Sequence, residues 1–447
     1  MEGGSSEETK QATTYALRVR NAKQLVTVCS NGELFKVGKA MDQVSVIENG
    51  TVIVNHEGLI EAVGTDQELQ EQFKDATFDL DVDATGQVVL PGLVDGHTHP
   101  VWSGDRVHEF AMKLAGATYM EVHKAGGGIG FTVEHTRNSS EEELLSLLLA
   151  RLHRMLQAGT TLVECKTGYG LETDTEMKML KVLHKAKSQV PVELVTTFLG
   201  AHSVPKGKTA AEATEDILHN QLPALAGLRD KGEISVDLID VFLEKGVFGL
   251  EETRQILKAG KELGLELNYH GDELSYTQAG ELAGELSALA VSHLEKVSAE
   301  GISAMAKRPT FAVLLPTTAY ILRLEVPPAR SLIEGGVPVA LGSDFNPNAH
   351  CLSMPLVMNL ACVTLKMTMN EALVAATINA AGSLGKSATH GSIERGKVGD
   401  LLLIDAPRWE HLVYQLGDPP LSRVFKRGRL VYSSPSAPSL SAAVLQG

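Results

Sequence analysis

Residues 88–100 read VVLPGLVDGHTHP, an apolar run that ends in Asp95-Gly96-His97-Thr98-His99-Pro100. A short run rich in Val and Leu fits a strand buried on both faces, as in parallel sheets. Side chains two apart in a strand share a face, so His97 and His99 point the same way. Two imidazoles on one face at a strand's C-terminal end make a seat for a metal ion. Two loop histidines brought together by accident is the plainer alternative.

Seven further runs follow the same pattern: TTLVEC (160–165), ELVTTFL (193–199), VDLIDVFL (236–243), ELNYH (266–270), LAVSH (289–293), FAVLL (311–315) and VPVALGS (337–343). Amphipathic segments lie between them. One is Glu141–Ala158, with Leu145, Leu148, Leu149, Leu152 and Leu156 on one stripe. Strands alternating with helices predict βα units, and eight such strands close a (β/α)8 barrel. An open doubly wound sheet is the alternative. The polar residues fall where a barrel places its chemistry. His202, His270 with Asp272 and Glu273, His293 and Asp344 each end an apolar run or follow it closely. At the C-terminal ends of barrel strands they would converge on one mouth.

Both ends of the chain read differently from the middle. Residues 16–29 and 43–64 are rich in Val and Ile, with Asn-Gly and Glu-Gly turns; GSIERGKVGDLLLIDAPRW and LSRVFKRGRLVYS near the other end share that character. One small β-sandwich domain is expected from residues 16–88 and 390–432, around a barrel over 89–389. Disordered tails are expected over 1–15 and 433–447.

With 40 basic and 55 acidic side chains the net charge is -15, which argues against a nucleic-acid or anionic-membrane surface. A small anionic substrate stays open, since one or two placed cations suffice. Cys29, Cys165, Cys351 and Cys362 form no CxxC pair and no disulfide framework, which fits a reducing cytoplasm. The N-terminal segment lacks the regions of a signal peptide or presequence, and no apolar run is long enough for a bilayer.

Taken together, PGLVDGHTHP, His270 and the Asp344 of LGSDFNP resemble the amidohydrolase superfamily. More narrowly, VWSGDRVHEF, AGGGI, VECKTGYGL, GAHSVP, HGDEL, LLPTT and SDFNPN are similar to the imidazolonepropionase family, over about residues 16–432. The resemblance implies hydrolysis of the cyclic amide of 4-imidazolone-5-propanoate to N-formimidoyl-L-glutamate. It implies one catalytic metal on His97, His99, His270 and Asp344, zinc first and iron second. Lys166 and Lys245 lie near strand ends, where a carboxylated lysine bridging two metals would have to sit; a single metal is favoured.

Within that reading Asp344 accepts the water proton, and His293 bonds the oxyanion or assists the transfer. His202 and Glu273 grip the ring. Arg106 clamps the propionate through a bidentate fork; a surface tie of its loop to Glu109 or Asp105 is the plainer alternative. Tyr169, Asn346, Asn348 and Ala349 complete the substrate contacts, with Asn348 less secure than Asn346. The Gly126–Gly128 run lets a loop fold close over the mouth. The resemblance suggests a homodimer. A purine or pyrimidine aminohydrolase is the rival enzyme and would need no carboxylate clamp. A barrel kept only as a binding scaffold is the non-enzymatic alternative.

Overall fold

The computed structural model describes residues 13–116 and 127–437. Five N-terminal strands begin one sheet: β1 (Thr14–Val28), β2 (Ser45–Val54), β3 (Ile60–Thr65), β4 (Thr77–Asp83) and β5 (Val88–Pro91). Eight strands then alternate with helices: β6 (Leu93–Asp95), β7 (Thr160–Lys166), β8 (Glu193–Ala201), β9 (Leu238–Leu243), β10 (Glu266–Gly271), β11 (Ala290–His293), β12 (Phe311–Leu314) and β13 (Val339–Leu341). β14 (Leu401–Ile404), β15 (Leu421–Lys426) and β16 (Arg429–Ser433) return to the first sheet, in the order β16-β15-β14-β5-β1-β2-β3 with β4 beside β1.

β6 to β13 lie in sequence order, every neighbouring pair parallel. The segments after β6 and β13 close the ring on each other: Thr98 bridges Phe345, His99 N donates to Phe345 O at 2.8 Å, and Asp344 N donates to His97 O at 2.9 Å. The two motifs that carry the candidate ligands are therefore themselves the seam of the barrel. The expected (β/α)8 architecture with a second sheet from both terminal segments is the one found.

Apolar side chains explain how the two parts pack. Leu17, Leu25, Val52, Val82, Val89 and Leu403 face one another across the folded terminal sheet. Val26, Val28, Val88, Leu90, Leu402 and Val424 point the opposite way and join the core that surrounds the barrel. Alternation along β1, β5 and β14 thus gives the sheet two buried faces.

Four details differ from the sequence reading. The run VVLPGLVDG is two strands, β5 in the terminal sheet and β6 in the barrel, divided at Gly92, where an added Cβ would collide with the Thr161 side chain. Asn49-Gly50 is no hairpin turn: it lies inside β2, with Asn49 at φ +50° and Gly50 pressed against Leu25 of β1. Glu57-Gly58 does form the turn between β2 and β3. In the helix Glu141–Gln157 the buried stripe is Leu144, Leu148, Leu152, Met155 and Leu156, while Leu145 and Leu149 are only half-buried. Of the expected tails, residues 1–12 and 438–447 lie outside the described residues, as does Gly126; Thr14 and Tyr15 belong to β1 and Ser433 ends β16.

Candidate metal centre and active site

His97 and His99 leave β6 on one face, and His270, from β10, meets them across the barrel. His99 Nε2 lies 3.2 Å from His97 Nε2 and 3.3 Å from His270 Nε2. Behind the cluster, His270 Nδ1 is 3.0 Å from Asp240 Oδ1, and His97 Nδ1 is 2.8 Å from Ser292 Oγ. A carboxylate oxygen only accepts, so the proton of neutral His270 sits on Nδ1 and its Nε2 carries a lone pair. If His97 donates likewise to Ser292, its Nε2 lone pair and that of His270 both face His99 Nε2. Three nitrogens so placed suit one cation between them.

Asp344 adds the fourth donor. Its Oδ1 is buried without a hydrogen-bond partner among the described residues and lies 3.5 Å from both His97 Nε2 and His99 Nε2. Its Oδ2 accepts from the Thr318 hydroxyl. Three imidazole nitrogens and an unpartnered carboxylate oxygen suit a divalent metal. Burial, then the neighbouring cations Lys166 and the other histidines, push the three imidazoles well below their ordinary pKa, so they stay neutral and able to ligate.

Lys166 and Lys245, the two lysines considered as bridges, part company. Lys245 is exposed. Lys166 is wholly buried, and its Nζ lies 2.7 Å from both Glu164 Oε1 and Asp240 Oδ2. Two carboxylates facing one amine suit an ammonium, which is what they favour against the cost of burial.

Above the cluster opens a cavity of about 460 Å³. Every residue assigned to the site from the sequence lines it except His97, which lies beneath, and Ala349. His202 stacks on His99 at 4.8 Å, held by Gly168 O, 2.9 Å from its Nδ1. Tyr169 lies 5.1 Å from His202, ring to ring. His293 ends β11 with φ +80°, and Asp344 has φ +48°. Left-handed backbone in residues other than glycine carries strain, and here it aims both side chains at the mouth. His293 Nε2 is 3.6 Å from Glu273 Oε2, and its Nδ1 is 3.8 Å from Glu295 Oε1. Burial disfavours its charge, but Glu273, Glu295 and Asp344 outweigh that and push the imidazole pKa up to about 10, while burial pushes Glu273 itself up to about 8, so the pair shares a proton.

Two substrate contacts differ from expectation. Arg106 is engaged on one edge: Nε and Nη2 donate to Glu109 at 2.9 and 2.7 Å, which leaves the Nη1/Nη2 edge for a substrate, and both residues are buried rather than at the surface. Lys113, absent from the sequence reading, lines the same cavity. Asn346 is committed to its own loop, accepting from Asn348 N and Ala349 N and donating to Asp344 O. Asn348, the less secure of the pair from sequence, presents a buried Oδ1 with no hydrogen-bond partner among the described residues. Asp272 caps its loop through Thr277. Glu164, Asp240, Ser292 and Thr318 also went unassigned. The signal for the first two was a charge at an inward position of an otherwise apolar strand.

A closed barrel whose β6, β10 and β13 ends bring three histidines and an aspartate together defines a class. The chain belongs to the amidohydrolase family, whose model matches residues 88–431. Solved structures share the fold: an adenosine deaminase from Xanthomonas campestris with bound zinc (TM-score 0.66, 18% identity, 97% of this chain and 96% of that one), and E. coli guanine deaminase (0.66, 17%, 93% and 99%). Within the family the chain belongs with the imidazolonepropionases. It is 63% identical to a Dictyostelium discoideum protein named probable imidazolonepropionase, over 94% of this chain and 99% of that one. A Homo sapiens protein of the same name is 56% identical, over 95% and 100%.

Proposed function

We propose that the protein hydrolyses the cyclic amide of 4-imidazolone-5-propanoate to N-formimidoyl-L-glutamate, using one divalent metal held by His97, His99, His270 and Asp344. The observation that carries this reading is the convergence of three imidazole nitrogens and the unpartnered Asp344 Oδ1 on the floor of a cavity that also exposes cations. Zinc is the first choice and iron the second, since both suit this donor set. Lys166, engaged by two carboxylates, supports a single metal.

The metal, when bound, polarises the ring carbonyl and acidifies water. Asp344 Oδ1 takes the water proton and delivers it to the departing ring nitrogen, while Thr318 keeps Oδ2 out of that exchange. The protonated His293 donates to the oxyanion that forms as the carbonyl is attacked. Glu273 and His202 hold the ring, Tyr169 and Asn348 meet its polar edge, and Asn346 with Ala349 shapes the loop that presents Asn348. Glu109 takes the Nε–H and one Nη2–H of Arg106, leaving the second Nη2–H and the Nη1 donors for the propionate, and it offsets the guanidinium charge, so Lys113 supplies further positive charge. The substrate is thus a small anion. The cytoplasm fits the four free cysteines, whose thiols burial pushes up in every case. A homodimer, suggested by resemblance alone, is checked by sedimentation velocity.

Purified protein should open the ring, followed in the ultraviolet. Chelation should abolish turnover, and one equivalent of zinc or iron should restore it. Release of ammonia from a purine or pyrimidine, with no ring opening, would overturn the assignment; two required equivalents would overturn the single metal.

A further inference from the structure

Asp240, on β9, stands between two demands. Its Oδ1 lies 3.0 Å from His270 Nδ1 and 3.1 Å from the His270 backbone N, while its Oδ2 lies 2.7 Å from Lys166 Nζ. Lys166, Asp240 and His270 are all buried. An ammonium and an N–H can only donate, so all three donors need oxygen. A carboxylate satisfies them at both ends. That arrangement puts the imidazole proton on Nδ1 and leaves Nε2 turned toward His97 and His99.

We propose that Lys166 is a positioning residue for the metal ligand His270: by holding the Oδ2 end of Asp240, it keeps Oδ1 against His270 Nδ1 and so fixes the ring whose Nε2 is free to bind metal. The inference rests on the reading of His97, His99 and His270 as ligands. A carboxylate that orients a ligating histidine is a common arrangement. Here the carboxylate is itself oriented by a buried cation.

The dependence is exposed when Asp240 loses its symmetry. In Asp240→Asn one end accepts and the other donates. Lys166 favours the oxygen, because a buried ammonium facing an amide N–H is left with Glu164 as its acceptor and is repelled on the other side. Hydrogen bonds to charged groups outweigh neutral ones. The amide nitrogen therefore turns to His270 and donates to Nδ1, which moves the ring proton to Nε2 and blocks the metal. Replacing the ammonium as well removes this constraint. In Lys166→Met/Asp240→Asn the backbone N–H of His270 draws the amide oxygen back, and the ligand nitrogen is freed.

The test is zinc affinity of the metal-free full chain, measured by competition with a chromophoric chelator, so no turnover is read. Asp240→Asn should bind zinc about 10–100-fold more weakly than the parent, the usual effect of losing a group behind a ligand. The double variant should bind several-fold tighter than Asp240→Asn. Circular dichroism and melting of the metal-free variants check that each is folded. Should the Met pair not fold, Lys166→Gln/Asp240→Asn replaces it, since a Gln amide meets either end of the Asn. A folded double variant as weak as Asp240→Asn, or an Asp240→Asn that binds like the parent, overturns the inference. A parent chain that binds no zinc overturns the ligand assignment instead, and the inference with it.

Discussion

Asp344 divides its two oxygens between tasks, one bound by Thr318 and one left beside the histidines. Asp344→Asn should keep the fold and, at saturating metal, lose about 10²–10⁴-fold in kcat, the range for a general base. Full recovery with excess zinc would show a ligand and nothing more. His293→Ala should retain metal by elemental analysis while losing rate. At the carboxylate end, Arg106 is ion-paired with Glu109, whereas Lys113 makes no ion pair among the described residues and feels Glu109 only from farther off. Lys113→Met should therefore raise KM for the propionate substrate and leave kcat within a few-fold. With an analogue lacking the carboxylate, parent and variant should perform alike; an equal loss on both substrates would make Lys113 structural. These assignments show what a sequence can carry at this scale. His97, His99, His270, His293 and Asp344 were legible because each ends an apolar run. The pairing of Arg106 with Glu109 was visible only as an option three residues away. Lys113 was invisible, because its place on the cavity wall depends on how its helix, Val107–Leu114, docks.

Elements of the barrel were legible for a physical reason. Strands buried on both faces are nearly continuous apolar runs, and β7 to β13 each appear as one. The same property hid the division at Gly92, because β5 and β6 are equally apolar and nothing polar separates them. The chain changes sheets there by running its backbone against Thr161. Gly92→Ala should destabilise the protein by about 1–3 kcal/mol, as overpacking does. Zinc binding to the folded fraction should be retained, since β6 still presents its histidines. Denaturant unfolding beside metal content checks both. The Asn49-Gly50 misreading has a similar origin: the dipeptide signals positive φ, and β2 spends it on a bend beside β1 rather than on a turn. The charges of Glu164, Lys166 and Asp240 break otherwise apolar strands; Glu164 and Lys166 meet within β7, but Asp240 reaches Lys166 from β9, beyond the reach of local pattern.

Across the whole molecule, the foot of β8 is tied to the terminal sheet by charge. Glu193 Oε2 lies 3.2 Å from His390 Nε2, 3.5 Å from Lys426 Nζ and 3.4 Å from Arg427 Nη2. The hydrogen bond from His390 leads in holding its carboxyl well below the ordinary 4.5, against the cost of burial. A depressed carboxylate stabilises above its unfolded pKa and loses that stabilisation as pH falls toward the folded value. Parent and Glu193→Gln should therefore differ most in melting temperature near neutrality and converge as pH drops below about 4.5. A gap that widened in acid would reverse the sign and the assignment. The order of strands in that sheet also has a consequence for how the chain is made. β5 lies between β1 and β14, and its Val88–Pro91 edge pairs antiparallel with Leu401–Ile404. As the chain emerges from the ribosome, that edge waits unpaired until nearly all of the polypeptide has been synthesised. An open apolar edge is a template for other chains. Nascent or C-terminally truncated protein should thus be the aggregating species, and chaperone demand should fall once residue 404 is free to reach its neighbour.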